Sequence, residues 1–174
     1  MPDRAECERL LDLHRVPAHI RRHSEQVSRV ALRLARALAS HGEHLDLALL
    51  EAAALLHDIA KADCLASHRD HAVEGGAVLR REGYLAVAAL VERHVELGPC
   101  DPRGPVTEAE VLNYSDKRVR HDEVVSLAER FEDLVVRYGG RYPQAEGRIR
   151  QNWEATRKVE RKIFGGLPFG PGEL

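Results

Sequence analysis

The chain has 174 residues, 44% apolar and 31% charged, with 26 Lys and Arg against 28 Asp and Glu and a formal net charge of −2. That length suits one domain, residues 1–174, around one hydrophobic core. The charge balance lacks the basic excess of a dedicated nucleic-acid binder, and no apolar run approaches the roughly 18 residues of a membrane span.

Proline and glycine divide the chain into helical blocks. A short block, about 3–14, ends before Pro17, and a long one, about 19–40, carries Val27, Val30, Ala31, Leu34, Ala35 and Leu38 at helical spacing and stops at Gly42. Asp46 is placed to cap the next helix, LALLEAAALLHD. A loop is expected through 61–70, then a helix in HAVEGGAVLRREG despite its two glycines, then another in YLAVAALVERHVEL ending at Gly98–Pro99. CDPRGPV reads as a loop. Thr107 to Glu110 has the capping-box form of a helix start, with that helix running to about Arg120. Two more helices, about 123–138 and 143–163, flank Gly139–Gly140, and the tail GGLPFGPGEL reads as irregular. Nothing alternates with period 2, so the expected fold is an all-α bundle of about seven helices.

Three cysteines, Cys7, Cys64 and Cys100, stand far apart without a CxxC pair, which argues against a thiolate zinc site or a disulfide framework. With a charged N-terminal stretch that does not read as a signal peptide, the expected compartment is the cytosol. The unusual residue is histidine, of which there are ten.

Residues three, four and seven apart share a helix face, so each histidine and aspartate can be set against the apolar stripe of its helix. His23 lies four before Val27 and seven before Val30; His57 follows Leu50, Ala53 and Ala54 at seven, four and three; Asp58 follows Ala54 at four. His94 follows Val87, Leu90 and Val91 in the same way, and Asp116 lies between Leu112 and Val119. His71 opens the helix that carries Ala72, Val73, Ala77 and Val78. One inward histidine is usually a satisfied core residue. Several from different helices imply a shared partner, and a divalent cation is the simplest one, because buried ionisable groups persist when paired or when they coordinate metal. Imidazole nitrogen with carboxylate oxygen suits iron, manganese, zinc, nickel or cobalt.

With His23, the pair His57–Asp58 and Asp116 in that order, the chain resembles the HD superfamily of metal-dependent phosphohydrolases, whose pattern is H…HD…D on an all-α fold. The match spans roughly 19–120 and rests on RRHSEQVSRVALRLA, LLHDIAK and NYSDKRV. His71 in HAVEGGAVL and His94 in VAALVERHVE resemble the extra histidines of the HDIG-like branch, whose members commonly hold two metals. The resemblance implies one ion on His23, His57, Asp58 and Asp116 and a second on Asp58, His71 and His94, with His68 the rival of His71. It implies one or two divalent transition-metal ions, Fe or Mn favoured and Ni, Co, Zn or Mg possible. Asp58 would be catalytic as the bridging carboxylate. Lys61, one turn on, would be catalytic and phosphate-binding, with Arg22, Lys117 and Arg118 as further phosphate contacts.

The expected activity is hydrolysis of a phosphoester or phosphoanhydride in a nucleotide or related small phosphate compound. The expected partner is thus a small phosphorylated substrate, without membrane or dedicated nucleic-acid binding. No GYP follows in the loop, and HDIAKAD is not HDxxED, which disfavours the cyclic-dinucleotide and alarmone branches. A di-iron oxygenase of the same fold, or a metal-holding sensor that does not turn over, are the alternatives.

Overall fold

A computed structural model describes residues 1–67, 69–140 and 143–174. In chain order the helices are α1 (Arg4–Leu13), α2 (Ala18–Ala39), α3 (Leu47–Leu56), α4 (Lys61–Ser67), α5 (His71–Arg81), α6 (Leu85–Val91), α7 (Glu108–Lys117), α8 (Leu127–Tyr138) and α9 (Ala145–Phe164). Two-residue strands β1 (Val119–Arg120) and β2 (Glu123–Val124) pair antiparallel between α7 and α8, with Val119 opposite Val124. The all-α expectation holds, this hairpin being the sole sheet among the described residues. No described helix is long and apolar enough to cross a membrane.

The apolar run of α3 explains the layout. Leu50, Ala52, Ala53, Ala54, Leu55 and Leu56 are all buried, so this helix is covered on nearly every side, as an apolar helix without a polar face must be. It packs against α2, α6, α7 and α1. Asp46 caps it, accepting from the Leu49 amide at 2.9 Å. The longer α2 buries one stripe, from Ile20 through His23, Val27, Ala31 and Leu34 to Leu38, against α3 and α7. The pair of glycines in α5 lets it approach α6: a Cβ on Gly75 would stand 3.2 Å from a Val91 methyl, and one on Gly76 would collide with the Glu92 side chain. Glycine's low helix propensity is here exchanged for a close crossing.

Five boundaries differ from the sequence expectation. The expected loop 61–70 contains α4. The chain turns at His57–Ala60 and then resumes helix, so His57 and Asp58 lie at the end of α3 rather than within it. Helix α6 stops at Val91, where the Arg93 and His94 amides reach back only three residues, to the Leu90 and Val91 carbonyls, and the His94 ring takes the Val91 carbonyl as well; Asn113 of α7 then holds the His94 and Val95 carbonyls. Helix α7 ends at Lys117 rather than near Arg120, and α8 begins at Leu127, where Ser126 and Glu129 form a second capping box. The intervening hairpin is too short to show any alternation.

Candidate metal centre

Each suspected ligand is placed by a feature of its own element. His23 comes from the buried stripe of α2, and His57 and Asp58 from the turn after α3. His71 is the first residue of α5, behind an Asp70 cap that accepts from Ala72 and Val73. His94 lies in the turn after α6, and Asp116 in the last turn of α7, which is buried from Ala109 to Lys117. These segments converge. His57, Asp58 and His94 are at most 1% exposed, and His23 and Asp116 are also buried.

Asp58 stands at the centre with its two oxygens facing different partners. Its Oδ2 lies 3.4 Å from His57 Nε2 and 4.0 Å from His23 Nε2; its Oδ1 lies 3.3 Å from His71 Nε2 and 3.7 Å from His94 Nε2. Asp116 Oδ1 closes the first side, 3.1 Å from His23 Nε2 and 3.7 Å from His57 Nε2. On the second side, His71 and His94 present their Nε2 atoms to each other at 3.2 Å. The six residues thus form a continuous lining, with the His57 ring centroid 5.3 Å from that of His23 and 4.9 Å from that of His94.

The tautomers follow from the backbone. Nδ1 of His57 lies 2.8 Å from the Ala54 carbonyl, Nδ1 of His94 lies 2.6 Å from the Val91 carbonyl, and Nδ1 of His23 lies 2.8 Å from the His121 carbonyl. A carbonyl only accepts, so in all three Nδ1 carries a proton and Nε2 is the ring nitrogen turned inward. His121, at φ 57°, sits at the hairpin turn between β1 and β2. The hairpin, missed in the sequence, therefore orients a ligand.

The charge pattern fits the same purpose. Burial works to raise the Asp58 pKa, but Lys61 and His57 outweigh it and hold the carboxyl well below its ordinary value. Asp116 is likewise kept ionised against burial by Lys117 and His23. Burial, with His57 adding to it, pushes His94 well below the usual imidazole range, toward the neutral form that can donate a lone pair. Two buried atoms are left over: His57 Nε2 and Asp58 Oδ1 make no well-formed hydrogen bond among the described residues. A buried acceptor without a donor is costly, and a cation would relieve both. Two sets, His23–His57–Asp116 and His57–Asp58–His94, hold their donor atoms within 4.8 Å of one another, so the residues present fit a divalent ion.

Of the expected phosphate contacts, Lys61 places Nζ 2.7 Å from Asp58 Oδ2 with 29% of its side chain exposed, a cation at the solvent side of the cluster. Arg22 is exposed and lies 3.4 Å from Asp122, at the rim beside the hairpin turn. Lys117 and Arg118 are corrections. Lys117 is buried, with Nζ 2.5 Å from Asp116 Oδ2 and 3.4 Å from the His94 carbonyl, and serves as countercharge to a carboxylate of the cluster. Arg118 points the other way, spending its donors on the Val125 carbonyl, the Tyr114 hydroxyl and the Pro171 carbonyl. It was expected there because it stands beside Asp116 in sequence, but its side chain leaves on a different face. The alternative ligand His68 lies outside the described residues.

A helical fold with His and Asp from five segments around one centre, all but His71 buried, defines a metal-binding helical domain of the H…HD…D type. The chain belongs to the HD-domain family, whose pattern matches residues 20–132. It is also similar to a tRNA (cytidine(56)-2'-O)-methyltransferase of Picrophilus torridus, 28% identical over 142 residues. That alignment covers 74% of this chain and 40% of the relative, so the chain spans well under half the length of the curated protein it matches. No solved structure matches.

If the cluster is an ion site, Mn²⁺ added to chelator-treated protein will raise the midpoint of thermal unfolding, by the equivalent of about 2.7 kcal/mol at 100 times the dissociation constant. His23→Ala should blunt the shift. An identical response from wild type and variant would count against the cluster.

Proposed function

We propose that the chain is a metal-dependent phosphohydrolase that cleaves a phosphoester or phosphoanhydride bond in a nucleotide or related small phosphate compound. The observation that carries this reading is the split of Asp58, one oxygen toward His23 and His57 and the other toward His71 and His94, with Lys61 alongside. A paired metal site of this kind lowers the pKa of bound water and polarises a phosphoryl oxygen.

The chain's own groups supply the rest. Asp58 spans both halves and fixes their separation. Asp116 and His23 close one half, and His71 and His94 the other. Lys61, half-buried on Asp58, offers its ammonium to an anionic oxygen arriving from solvent, where a fixed cation stabilises charge that builds during cleavage. Asn113 and Lys117 hold the turn that carries His94. Iron or manganese are the preferred ions on ligand chemistry. The three free thiols suit a reducing compartment such as the cytosol. The relative's named activity, methylation of tRNA, is not carried over. The net charge of −2 lacks the basic excess of a dedicated nucleic-acid binder.

The test is a phosphate-release screen over nucleotides, dinucleoside polyphosphates and aryl phosphates with Mn²⁺, Fe²⁺, Co²⁺, Ni²⁺ or Mg²⁺, using Asp58→Ala as the blank. Release by wild type alone supports the proposal. Equal release by both removes it, and iron-dependent oxygen uptake without phosphate release would replace it with an oxygenase.

A further inference from the structure

Of the six residues that line the cluster, His94 has the least regular structure around it. His23, His71 and Asp116 lie on helices, and His57 and Asp58 occupy a turn that runs directly into α4 at Lys61. His94 stands past the end of the seven-residue α6, and residues 92–107 form neither helix nor strand before α7 begins at Glu108. The Val91 carbonyl fixes the angle of the His94 ring but not the place of the turn that carries it. A ligand on irregular chain needs a tether from a neighbouring element to stay within reach of its partners.

That tether comes from α7. Asn113, only 3% exposed, places Nδ2 2.8 Å from the His94 carbonyl and 3.4 Å from the Val95 carbonyl. Both partners are acceptors, so the amide nitrogen rather than its oxygen faces the turn. One helical turn on, Lys117 Nζ lies 3.4 Å from the same His94 carbonyl and 2.5 Å from Asp116 Oδ2. Residues three and four apart share a helix face, so one face of α7 supplies a ligand to the half of the cluster at His23 and a main-chain tether to the half at His94. The two halves depend on that tether unequally. The donor set His23–His57–Asp116 contains no residue of the turn, whereas His57–Asp58–His94 does, and His71 Nε2 meets His94 Nε2 at 3.2 Å.

We propose that Asn113 is a positioning residue for the second ion: by holding the His94 turn against α7, it decides whether the chain keeps two ions or one. This deepens the paired-metal reading of the site and rests on it. It adds a residue that is neither in the H…HD…D pattern nor among the extra histidines.

The experiment is Mn²⁺ titration of the full, chelator-treated chain followed by electron paramagnetic resonance, which reads free Mn²⁺ and separates an isolated bound ion from a spin-coupled pair. Wild type should take two ions per chain and show the coupled pair. Asn113→Ala should hold the first ion within about three-fold of wild type and weaken the second by about ten-fold or more, the range for removing a partner behind a metal ligand. The pair signal should then be missing at Mn²⁺ levels that fill wild type. Alanine is the better helix former, so α7 itself should not suffer. Asn113→Gln, which keeps a donor, should regain part of the second affinity. Equal weakening of both ions overturns the proposal, because Asn113 would then only brace the fold. Wild-type affinities in Asn113→Ala overturn it too, as does a wild type that takes a single ion. Should Asn113→Ala fail to fold, Asn113→Leu, close in shape but without a donor, reads the same two affinities. The readout is metal rather than turnover: a chain with this selective loss that releases phosphate from nothing loses the hydrolase reading and keeps the role of Asn113, whereas one that releases phosphate while both ions weaken alike does the reverse.

Discussion

Asp58→Asn will fold, lose most of its bound metal and drop in phosphate release by about 10³-fold, the scale seen when one preorganised electrostatic group is removed from a reaction centre. The isostere is informative because it changes charge without changing shape. Asp58 Oδ1 faces the Nε2 atoms of His71 and His94 at 3.3 and 3.7 Å, so an amide nitrogen in its place would find acceptors there. The remaining oxygen would keep its contact with Lys61, now 2.7 Å from Oδ2. The fold loses no buried hydrogen bond that the amide cannot replace, yet the two histidine pairs lose their common anion. Elemental analysis of protein prepared without chelator, wild type beside variant, reads the metal loss, and the phosphate assay reads the rest. An Asp58→Asn chain that retains both within ten-fold would show that Asp58 does not bridge.

The second large effect is on stability and lies away from the cluster. Glu110 is the third residue of the α7 capping box, with Oε2 accepting the Thr107 amide at 2.9 Å. It is also the buried partner of Lys162 on α9, whose Nζ lies 2.8 Å from both carboxylate oxygens, with side chains only 8% and 6% exposed. The Cys100 thiol donates to the same carboxylate at 3.1 Å. Glu110→Ala would uncap α7 and leave an ammonium buried without its anion. Breaking one partner of a buried pair typically costs about 3–5 kcal/mol. Denaturant unfolding should show a loss of that size, and Glu110→Ala combined with Lys162→Met should recover a large part of it. A loss under about 1 kcal/mol for the single variant would mean that Lys162 reaches water when its partner is gone.

How far the chain could be read beforehand depended on the range of the interaction. His23, His57, Asp58, His94 and Asp116 were legible because each falls in line with the apolar stripe of the helix that contains it or ends just before it, a signal that needs no knowledge of the fold. Glu110 was half legible: the capping box is local, whereas Lys162 lies 52 residues away and shares no pattern with it. Asn113 was not legible, since the His94 carbonyl that it holds lies 19 residues away and belongs to the main chain. The role of His121 was not legible, because it acts through its main-chain oxygen. Lys117 and Arg118 were misassigned since adjacency to Asp116 says nothing about direction. One turns into the cluster as countercharge and the other toward Tyr114.

His57 and His94 share a local arrangement: each sits just past a helix end and donates Nδ1–H to the carbonyl three residues back, Ala54 for one and Val91 for the other. Each imidazole thereby stoppers the frayed end of its own helix, so ring orientation and main-chain order are the same degree of freedom. Loading the centre should then slow amide-proton exchange in the final turns of α3 and α6, and stripping it should let those two turns breathe while the middle of α2 stays closed.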